Sequence, residues 1–200
     1  PVPVTVDYSN LNNLIIPVGK LDDSSVIRRT DRELVVRLND SLFIASCDSD
    51  ADPAPYLEDR SLRTVLYPST KSVSRILMLK NSPPRLKDIP AGASEMERFY
   101  SDYSPWNADR EYFSQLRKKG ELTFSSYEDG ELVSLAYTTK GRRQLCSLFT
   151  RPEYRSRGHA GRILDQCGPI CLFVDDFNLI PFYNKHGFAC VRTFNLIARE

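Results

Sequence analysis

The stretch that decides the fold of this chain runs from Leu148 to Ala160 and reads LFTRPEYRSRGHA. Its apolar start predicts a strand, Pro152 predicts a turn, and Gly158 predicts the start of a helix. The first turn of a helix leaves main-chain N–H groups without helical partners, and the helix dipole makes that end positive. The stretch therefore predicts a turn that can hold phosphate oxygens.

Positive charge is concentrated around this stretch. Between Lys140 and Arg162 seven residues are Lys or Arg and one, Glu153, is acidic, whereas the whole chain has a net charge of +1. Charge alone favours a solvated basic loop, while the strand–turn–helix order favours an anion-binding turn. The stretch has one of the three glycines of a dinucleotide-binding fingerprint, and no GKS or GKT of a P-loop follows. Neither of those nucleotide sites is predicted.

Residues 1 to 90 are predicted to be rich in strands. The first two candidates flank a turn-forming Asn-Asp-Ser cluster, which indicates a hairpin. Two connections, residues 48–59 and 81–92, are rich in proline and are predicted to be irregular. The strand candidates are Leu34–Leu38, Leu42–Ala45, Arg63–Tyr67 and Val73–Leu79.

A helical pattern begins at Ser94. This residue and Glu97 have the spacing of a capping box. A second helix is predicted to start near Pro105 and to end at Gly120.

Strands and helices alternate after residue 120. Glu121–Tyr127 and Glu131–Thr138 flank a Glu-Asp-Gly turn, which is a strong hairpin signal. Strand–helix–strand units further along imply at least one parallel pair in a mixed sheet. The later elements are predicted as strand Gln144–Thr150, helix 158–167, strand Cys171–Val174, helix Leu179–Lys185 and strand Val191–Ala198.

Two motifs resemble those of a known family. Residues 155–160, RSRGHA, are similar to the Q/R-x-x-G-x-G/A signature of the GCN5-related N-acetyltransferases, the GNAT family, and the lead-in FTRPEY is similar to its V-Y-T-x-P-E-Y-R version. Residues 182–188, FYNKHGF, are similar to the family's F-Y-x-K-x-G-F helix ending. Residues 129–133, DGELV, resemble its D-G-E-x-V entry strand. Because the motifs occur in order with strands between them, the resemblance over about residues 94–200 is specific.

The resemblance implies an α+β fold. Its central sheet is expected to be mixed, mostly antiparallel, flanked by helices, and splayed between two parallel strands, here Gln144–Thr150 and Cys171–Val174. Residues 91–200 would form the acetyltransferase domain and residues 1–90 a β-rich N-terminal extension or partial second domain. Residues 1–90 match no family motif. They are expected to add strands to the sheet, to form a partial second copy of the fold, or to make a contact in a homodimer.

The resemblance also implies an activity and its site. The expected reaction transfers an acetyl group from acetyl-CoA, as co-substrate, directly to a primary amine on a small molecule or a protein lysine. Tyr183 matches the family tyrosine that helps the thiolate leave, although packing alone would favour a core aromatic. His159 fills a variable slot in which the backbone is expected to matter more than the ring. The implied cofactor-binding residues are Leu148, Phe149, Thr150, Arg155, Arg157, Gly158, His159, Ala160, Gly161 and Asn178, with Arg162 as a further phosphate contact.

Two parts of the site are not assigned by the sequence. The family often places a general base on the strand corresponding to Gln144–Thr150, and this strand has no acid. Asp176 stands where many relatives have asparagine, although Asn178 is near. The acceptor site is expected to be walled by Ser94–Arg117, including Tyr100, Tyr103 and Trp106. A non-catalytic acyl-CoA sensor or scaffold on the same fold is the alternative function.

Composition limits the remaining classes. The five cysteines have no metal-ligand or disulfide spacing, so reduced thiols and no metal site are predicted. The near-neutral net charge argues against nucleic acid as a partner. No targeting segment and no membrane-spanning run are visible, so a cytoplasmic location without a membrane partner is expected.

Overall fold

The computed structural model describes residues 26–30, 32–38, 40–46, 48–103, 123–138 and 144–199. These residues belong to two compact units. Among the described residues, the first unit contains those between 26 and 79, 173–184 and 189–199, and the second contains those between 80 and 172 and 185–188. The domain boundary predicted at residue 90 stays a prediction.

The described chain contains ten strands and four α-helices, which confirms the predicted α+β class. Seven strands form one sheet in the order β1-β2-β3-β4-β10-β5-β9, and three form a second sheet in the order β6-β7-β8. The strands are β1 Val26–Arg29, β2 Glu33–Leu38, β3 Ser41–Ser46, β4 Thr64–Pro68, β5 Arg75–Lys80, β6 Thr123–Glu128, β7 Glu131–Thr138, β8 Leu145–Thr150, β9 Ile170–Val174 and β10 Phe188–Ala198. The helices are α1 Ala54–Leu57, α2 Ala93–Tyr103, α3 His159–Gln166 and α4 Ile180–Lys185.

The first unit confirms the N-terminal hairpin. Strand β2 pairs antiparallel with β3, β3 pairs parallel with β4, and β4 pairs antiparallel with β10. Apolar side chains of these strands and the loop before β4 form one buried cluster, in which Val35, Ile44 and Val65 are almost completely covered. Burial of apolar area of this kind contributes about 25 cal/mol per Å². The strands of residues 1–90 thus extend the sheet that also contains the C-terminal strand.

In the second unit, α2 packs on the β6–β7–β8 sheet. Met96, Phe99 and Tyr100 lie on one face of α2 and are buried against β7 residues, as a helical spacing of three and four predicts. The predicted cap of this helix was wrong by two residues. Glu95, not Glu97, reaches back, and its Oε2 accepts a hydrogen bond from Gly92 N at 3.1 Å. The helix predicted at residues 105–120 lies outside the described residues.

The β6–β7 hairpin forms where Glu-Asp-Gly predicted it. Asp129 and Gly130 both have positive φ, 51° and 81°, as a two-residue type I′ turn requires. The pairing of β7 with β8 is irregular between Leu135 and Tyr137. Opposite this irregularity, Ser147 has φ of 51° and its carbonyl accepts a hydrogen bond from the buried Tyr100 hydroxyl at 2.8 Å. Ser147 therefore forms a bulge that bends β8.

Lys80, at the end of β5, is a buried cation in the second unit. Its side chain is 0% exposed and its Nζ donates to the Leu164 carbonyl of α3 at 2.7 Å. A cation is favourable at the C-terminal end of a helix. Burial nevertheless lowers the pKa of Lys80, although Cys167 and Asp165 oppose that shift.

Replacing Lys80 with methionine is expected to change how stability depends on pH. Because the pKa of Lys80 is lower in the folded state, the unfolded state binds the proton more tightly, and stability rises as pH increases from the lowered value to about 10.4. The Lys80→Met protein lacks this rise in stability. The rise amounts to about 1.4 kcal/mol for each unit by which the pKa of Lys80 in the folded state lies below its value in the unfolded state. Urea unfolding of both proteins between pH 7 and 10 measures it, with the exposed Lys87→Met as control. A stability difference that stays constant with pH would contradict the expectation.

Within the described residues, no helix has the length and apolar character needed to span a membrane.

Candidate functional site

The site begins where two parallel strands part. Gln144, directly before β8, forms an isolated parallel bridge with Cys171 of β9. Strand β8 continues as the edge strand of the three-stranded sheet, whereas β9 belongs to the other sheet. The splay predicted from the family resemblance is thus confirmed, and it leaves one edge of β8 facing away from β7.

The backbone of β8 alternates between β7 and this edge. Arg151 N donates to the Val133 carbonyl, and the Phe149 carbonyl accepts from the Ser134 hydroxyl, so the main-chain groups of Phe149 face β7. By the alternation of an antiparallel pair, those of Thr150 face the edge. A pantetheine chain lying along the edge would therefore meet the main chain of Thr150 and not that of Phe149, whereas Leu148, beside the bulge, stays a predicted contact.

The turn after β8 has an unusual backbone. A 3₁₀ turn covers Pro152–Tyr154, Ser156 has φ of 63°, and Gly158, directly before α3, has φ of 88°. The first helical bond runs from Arg162 N to the Gly158 carbonyl, 3.0 Å. The N–H groups of His159, Ala160 and Gly161 thus lie in the first turn, where helical partners are lacking. A Cβ added at Gly158 would meet nothing within 4 Å, so the turn needs glycine for its conformation and has open space beside it.

The His159 ring has a larger part than the sequence predicted. Its side chain is only 2% exposed. Nδ1 lies 2.9 Å from Ser126 Oγ and Nε2 lies 2.6 Å from Glu128 Oε2. The ring joins the start of α3 to the end of β6, a contact that was not predicted from the sequence. The expectation that the backbone of His159 matters more than its ring in this loop stays a prediction.

Acids of the β6–β7 hairpin offset part of the local positive charge. Arg157 Nη1 donates to Glu128 Oε1 at 2.7 Å, and Arg151 Nη1 donates to Glu131 Oε2 at 3.2 Å. Hydrogen bonds from His159 and then from Arg157 lower the pKa of Glu128, so this carboxylate is charged at neutral pH. The charge counted along residues 140–162 missed these acids because they lie on another part of the chain.

Arg155 is a predicted phosphate contact that lies beside the turn. Its Nε donates to the Thr150 carbonyl at 3.2 Å, and its guanidinium lies 5.5 Å from the centre of the Phe149 ring. The side chain is exposed. Arg155 is thus held beside the turn with charge available for an anion, although it also uses one of the edge carbonyls of β8.

Gly161 has a packing reason to be glycine. A Cβ at this position would lie 2.7 Å from His186 Cε1 and 2.9 Å from His186 Nε2. The ring of His186 is also placed by Asp165, whose Oδ1 lies 3.4 Å from Nδ1. The His186 ring therefore lies directly against α3 in the second unit.

Replacing Gly161 with alanine is expected to destabilise the protein by about 1–3 kcal/mol, because overpacking forces the His186 ring off the helix. In the His186→Ala background the same change is expected to stabilise by about 1 kcal/mol, since alanine is the better helix former. Chemical unfolding of the two single variants and the double variant measures this reversal of sign. A destabilisation of the same size in both backgrounds would contradict the packing argument.

The remaining predicted residues lie in different surroundings. Tyr183, in α4 of the first unit, has a pKa raised by burial and by the nearby Asp175 carboxylate, so its phenol keeps its proton at neutral pH. Asn178 is exposed, and its main-chain N donates to Asp176 Oδ1 at 3.1 Å. Asp176 thus caps the 3₁₀ turn Phe177–Leu179.

The predicted acceptor wall requires one correction. Tyr100 is 0% exposed, packs among aromatic residues and holds the Ser147 carbonyl. A side chain with no exposed surface cannot contact an acceptor in this conformation. Tyr100 instead supports the bulge of β8 through its hydrogen bond to the Ser147 carbonyl. Residues 104–117 of the predicted wall lie outside the described residues.

Comparison with known proteins agrees with this geometry. Residues 87–194 match the family model described as an acetyltransferase (GNAT) domain, whereas no curated protein matches the chain. Similar solved structures include a conserved protein of unknown function from Staphylococcus epidermidis (TM-score 0.57, 10% identity, covering 88% of this chain and 93% of that one). A GCN5-related N-acetyltransferase from Kribbella flavida has a TM-score of 0.52 at 16% identity and covers 86% and 88%. A GNAT-family acetyltransferase from Colwellia psychrerythraea has a TM-score of 0.52 at 12% identity and covers 84% and 81%.

At such low identities the solved structures show the fold alone. The family match covers more than half of the chain. The chain belongs to the GNAT acetyltransferase family.

Proposed function

We propose that this protein transfers an acetyl group from acetyl-CoA to a primary amine. The observation that carries the proposal is the turn at Gly158, which joins an edge strand to a helix and has φ of 88° and open space beside it. Main-chain donors at the start of a helix suit the oxygens of a diphosphate. A linear amide-containing chain suits the free edge of a strand. The order of these two features along β8 and α3 matches the order of the two parts of coenzyme A.

The residues present fit that ligand. The N–H groups of the first turn of α3, from His159 to Gly161, would hold the diphosphate, with Arg155 adding charge. The edge groups of Leu148 and Thr150 would pair with the pantetheine amides. Phe149 and Arg157 are assigned no direct contact with coenzyme A. The main-chain groups of Phe149 face β7, and the Arg157 guanidinium is paired with Glu128.

The chemistry would be direct transfer. The amine nitrogen forms a bond to the thioester carbonyl carbon, the C–S bond breaks, and the thiolate leaves with a proton. Tyr183 would supply that proton or a hydrogen bond to the sulfur, as its raised pKa permits. Since β8 has no acid, we assign no carboxylate of this strand as the base that takes the amine proton. Much of the rate would come from holding amine and thioester together.

The same lack of an acid on β8 favours the second candidate, an acyl-CoA sensor or scaffold without turnover. It would use the same turn and edge. The retained Tyr183 argues against it, because a sensor needs no proton donor at the sulfur.

Thiol release from acetyl-CoA across a panel of amines, including amino acids, polyamines and lysine peptides, tests the proposal. We expect thiol release above background with at least one acceptor, and calorimetric binding of coenzyme A. Binding without release for any acceptor would favour the sensor. No binding of coenzyme A would overturn both candidates.

A further inference from the structure

One carboxylate holds both residues that flank Gly158. Glu128, the last residue of β6, accepts a hydrogen bond from Arg157 Nη1 on Oε1 and lies 2.6 Å from His159 Nε2 through Oε2. Arg157 directly precedes Gly158 and His159 directly follows it. The neighbouring strand therefore fixes the chain on both sides of the left-handed residue.

His159 is fixed from a second side as well. Ser126 Oγ lies 2.9 Å from Nδ1, so both ring nitrogens have partners on β6. A neutral imidazole has one donor and one acceptor nitrogen, which matches a carboxylate at Nε2 and a hydroxyl at Nδ1. Because the ring is buried, rotating it would leave polar atoms without partners, at a cost larger than the net gain from a typical hydrogen bond.

The serine, histidine and carboxylate also occur in nucleophilic triads. Here Ser126 is only 3% exposed, so no substrate can reach its hydroxyl in this conformation. The three side chains therefore form a contact between β6 and the start of α3 that no substrate enters.

The turn needs such support. Ser156 is a non-glycine residue with φ of 63°, two positions before Gly158. A left-handed residue of this kind costs about 1–3 kcal/mol and persists only where the surrounding structure determines it. The Glu128 contacts to Arg157 and His159 are contacts of this kind.

We infer that His159 and Glu128 are positioning residues for the diphosphate of acyl-CoA. Their side chains hold the main-chain donors of the first turn of α3 in the arrangement that the anion requires, and these side chains do not themselves touch the ligand. Preorganised donors bind better because no rearrangement opposes binding. Arg157 also offsets the charge of Glu128, which would otherwise repel an anion. The inference rests on the proposed function.

The test compares two ligands. His159→Phe keeps a ring and removes both hydrogen bonds. We expect its Kd for coenzyme A, measured by calorimetry, to rise about tenfold. Its Kd for S-acetylpantetheine, which lacks the diphosphate, is expected to stay unchanged when measured by ligand-detected NMR.

Ser125→Ala is the matched control. It removes a hydrogen bond from the same strand, from Ser125 Oγ to the Ile89 carbonyl at 2.6 Å. We expect a lower melting temperature and both Kd values within about twofold of the wild type. If His159→Phe does not fold, Ser126→Ala, which removes one of the two contacts, is compared in the same way, with an expected rise of about threefold.

The outcomes separate the two proposals. An unchanged Kd for coenzyme A, or equal losses for both ligands, would overturn the positioning role and leave the proposed function standing. A wild-type protein that binds neither ligand would overturn the proposed function and the positioning role together.

Discussion

Gly158→Ala is expected to weaken coenzyme A binding about a hundredfold, the equivalent of losing two hydrogen bonds to a charged group. Gly158 has φ of 88°, at which an L-residue is strained by about 1–2 kcal/mol. Space is not the obstacle, because an added Cβ would meet nothing within 4 Å. The chain is expected to relax by changing φ, which turns the donors of the first turn of α3 away from the diphosphate. The added methyl group would also enter the open space beside the turn. Calorimetry with coenzyme A measures the loss.

Gly130→Ala is a close control for this change. Gly130 has φ of 81° and also has open space at its Cβ, but it lies in the β6–β7 hairpin. Both variants are therefore expected to lose similar stability, by about 1–2 kcal/mol. Only Gly158→Ala should lose affinity. Equal affinities for the two variants would show that the donors of this turn do not hold the diphosphate.

The Tyr183→Phe variant is expected to reduce kcat about a hundredfold, the low end for losing a general acid, while the Kd for coenzyme A stays the same. The hydroxyl is removed and the ring, which packs 5.3 Å from the Phe182 ring, is kept. Because burial and Asp175 raise the pKa of Tyr183 above its ordinary value, the wild-type rate should show no loss from this group below about pH 10. Steady-state rates at saturating acetyl-CoA from pH 6 to 10, with the best acceptor of the panel, measure both effects.

Tyr127→Phe provides the comparison for Tyr183. Tyr127 is another partly buried phenol whose pKa is raised, mainly by burial, and its hydroxyl donates to Glu95 Oε2 at 3.0 Å. Its loss is expected to cost stability and to leave kcat within about twofold. A Tyr183→Phe variant with the kcat of the wild type would remove this tyrosine from the mechanism.

Local patterns accounted for the parts of the fold that the sequence predicted. The β6–β7 hairpin depends on Asp129 and Gly130, which are adjacent and adopt positive φ readily. The start of α3 depends on Gly158, and its consequence for anions follows from helix geometry alone. Each of these predictions uses residues within a few positions of one another, and each was confirmed as structure.

The sequence could not show contacts between distant positions. His159 meets Ser126 and Glu128 from 33 and 31 positions away, and Lys80 meets Leu164 from 84 positions away. One signal was available: a histidine directly after the turn glycine, with an acid directly before the Asp-Gly turn. This pattern could have suggested that the His159 ring pairs with Glu128, but it does not indicate which face of β6 contacts α3. The predicted cap of α2 was wrong for another reason. Serine is a favoured N-cap residue, so Ser94 suggested the start of the helix. The helix instead begins at Ala93, and Glu95 accepts a hydrogen bond from Gly92 N.

The pairing of β4 with β10 has a consequence for how the chain acquires its structure. The side chains of Tyr67 and Asn195, which are 128 positions apart in the sequence, share a hydrogen bond. The edge of β4 that pairs with β10 therefore stays without that strand until most of the polypeptide has been made. Closing so large a loop is slow. Until then the newly made strand presents unpaired N–H and C=O groups, which invite association between nascent chains. Recovery from denaturant should therefore fall as protein concentration rises, and cellular yield should improve when translation is slowed or holdase chaperones are abundant.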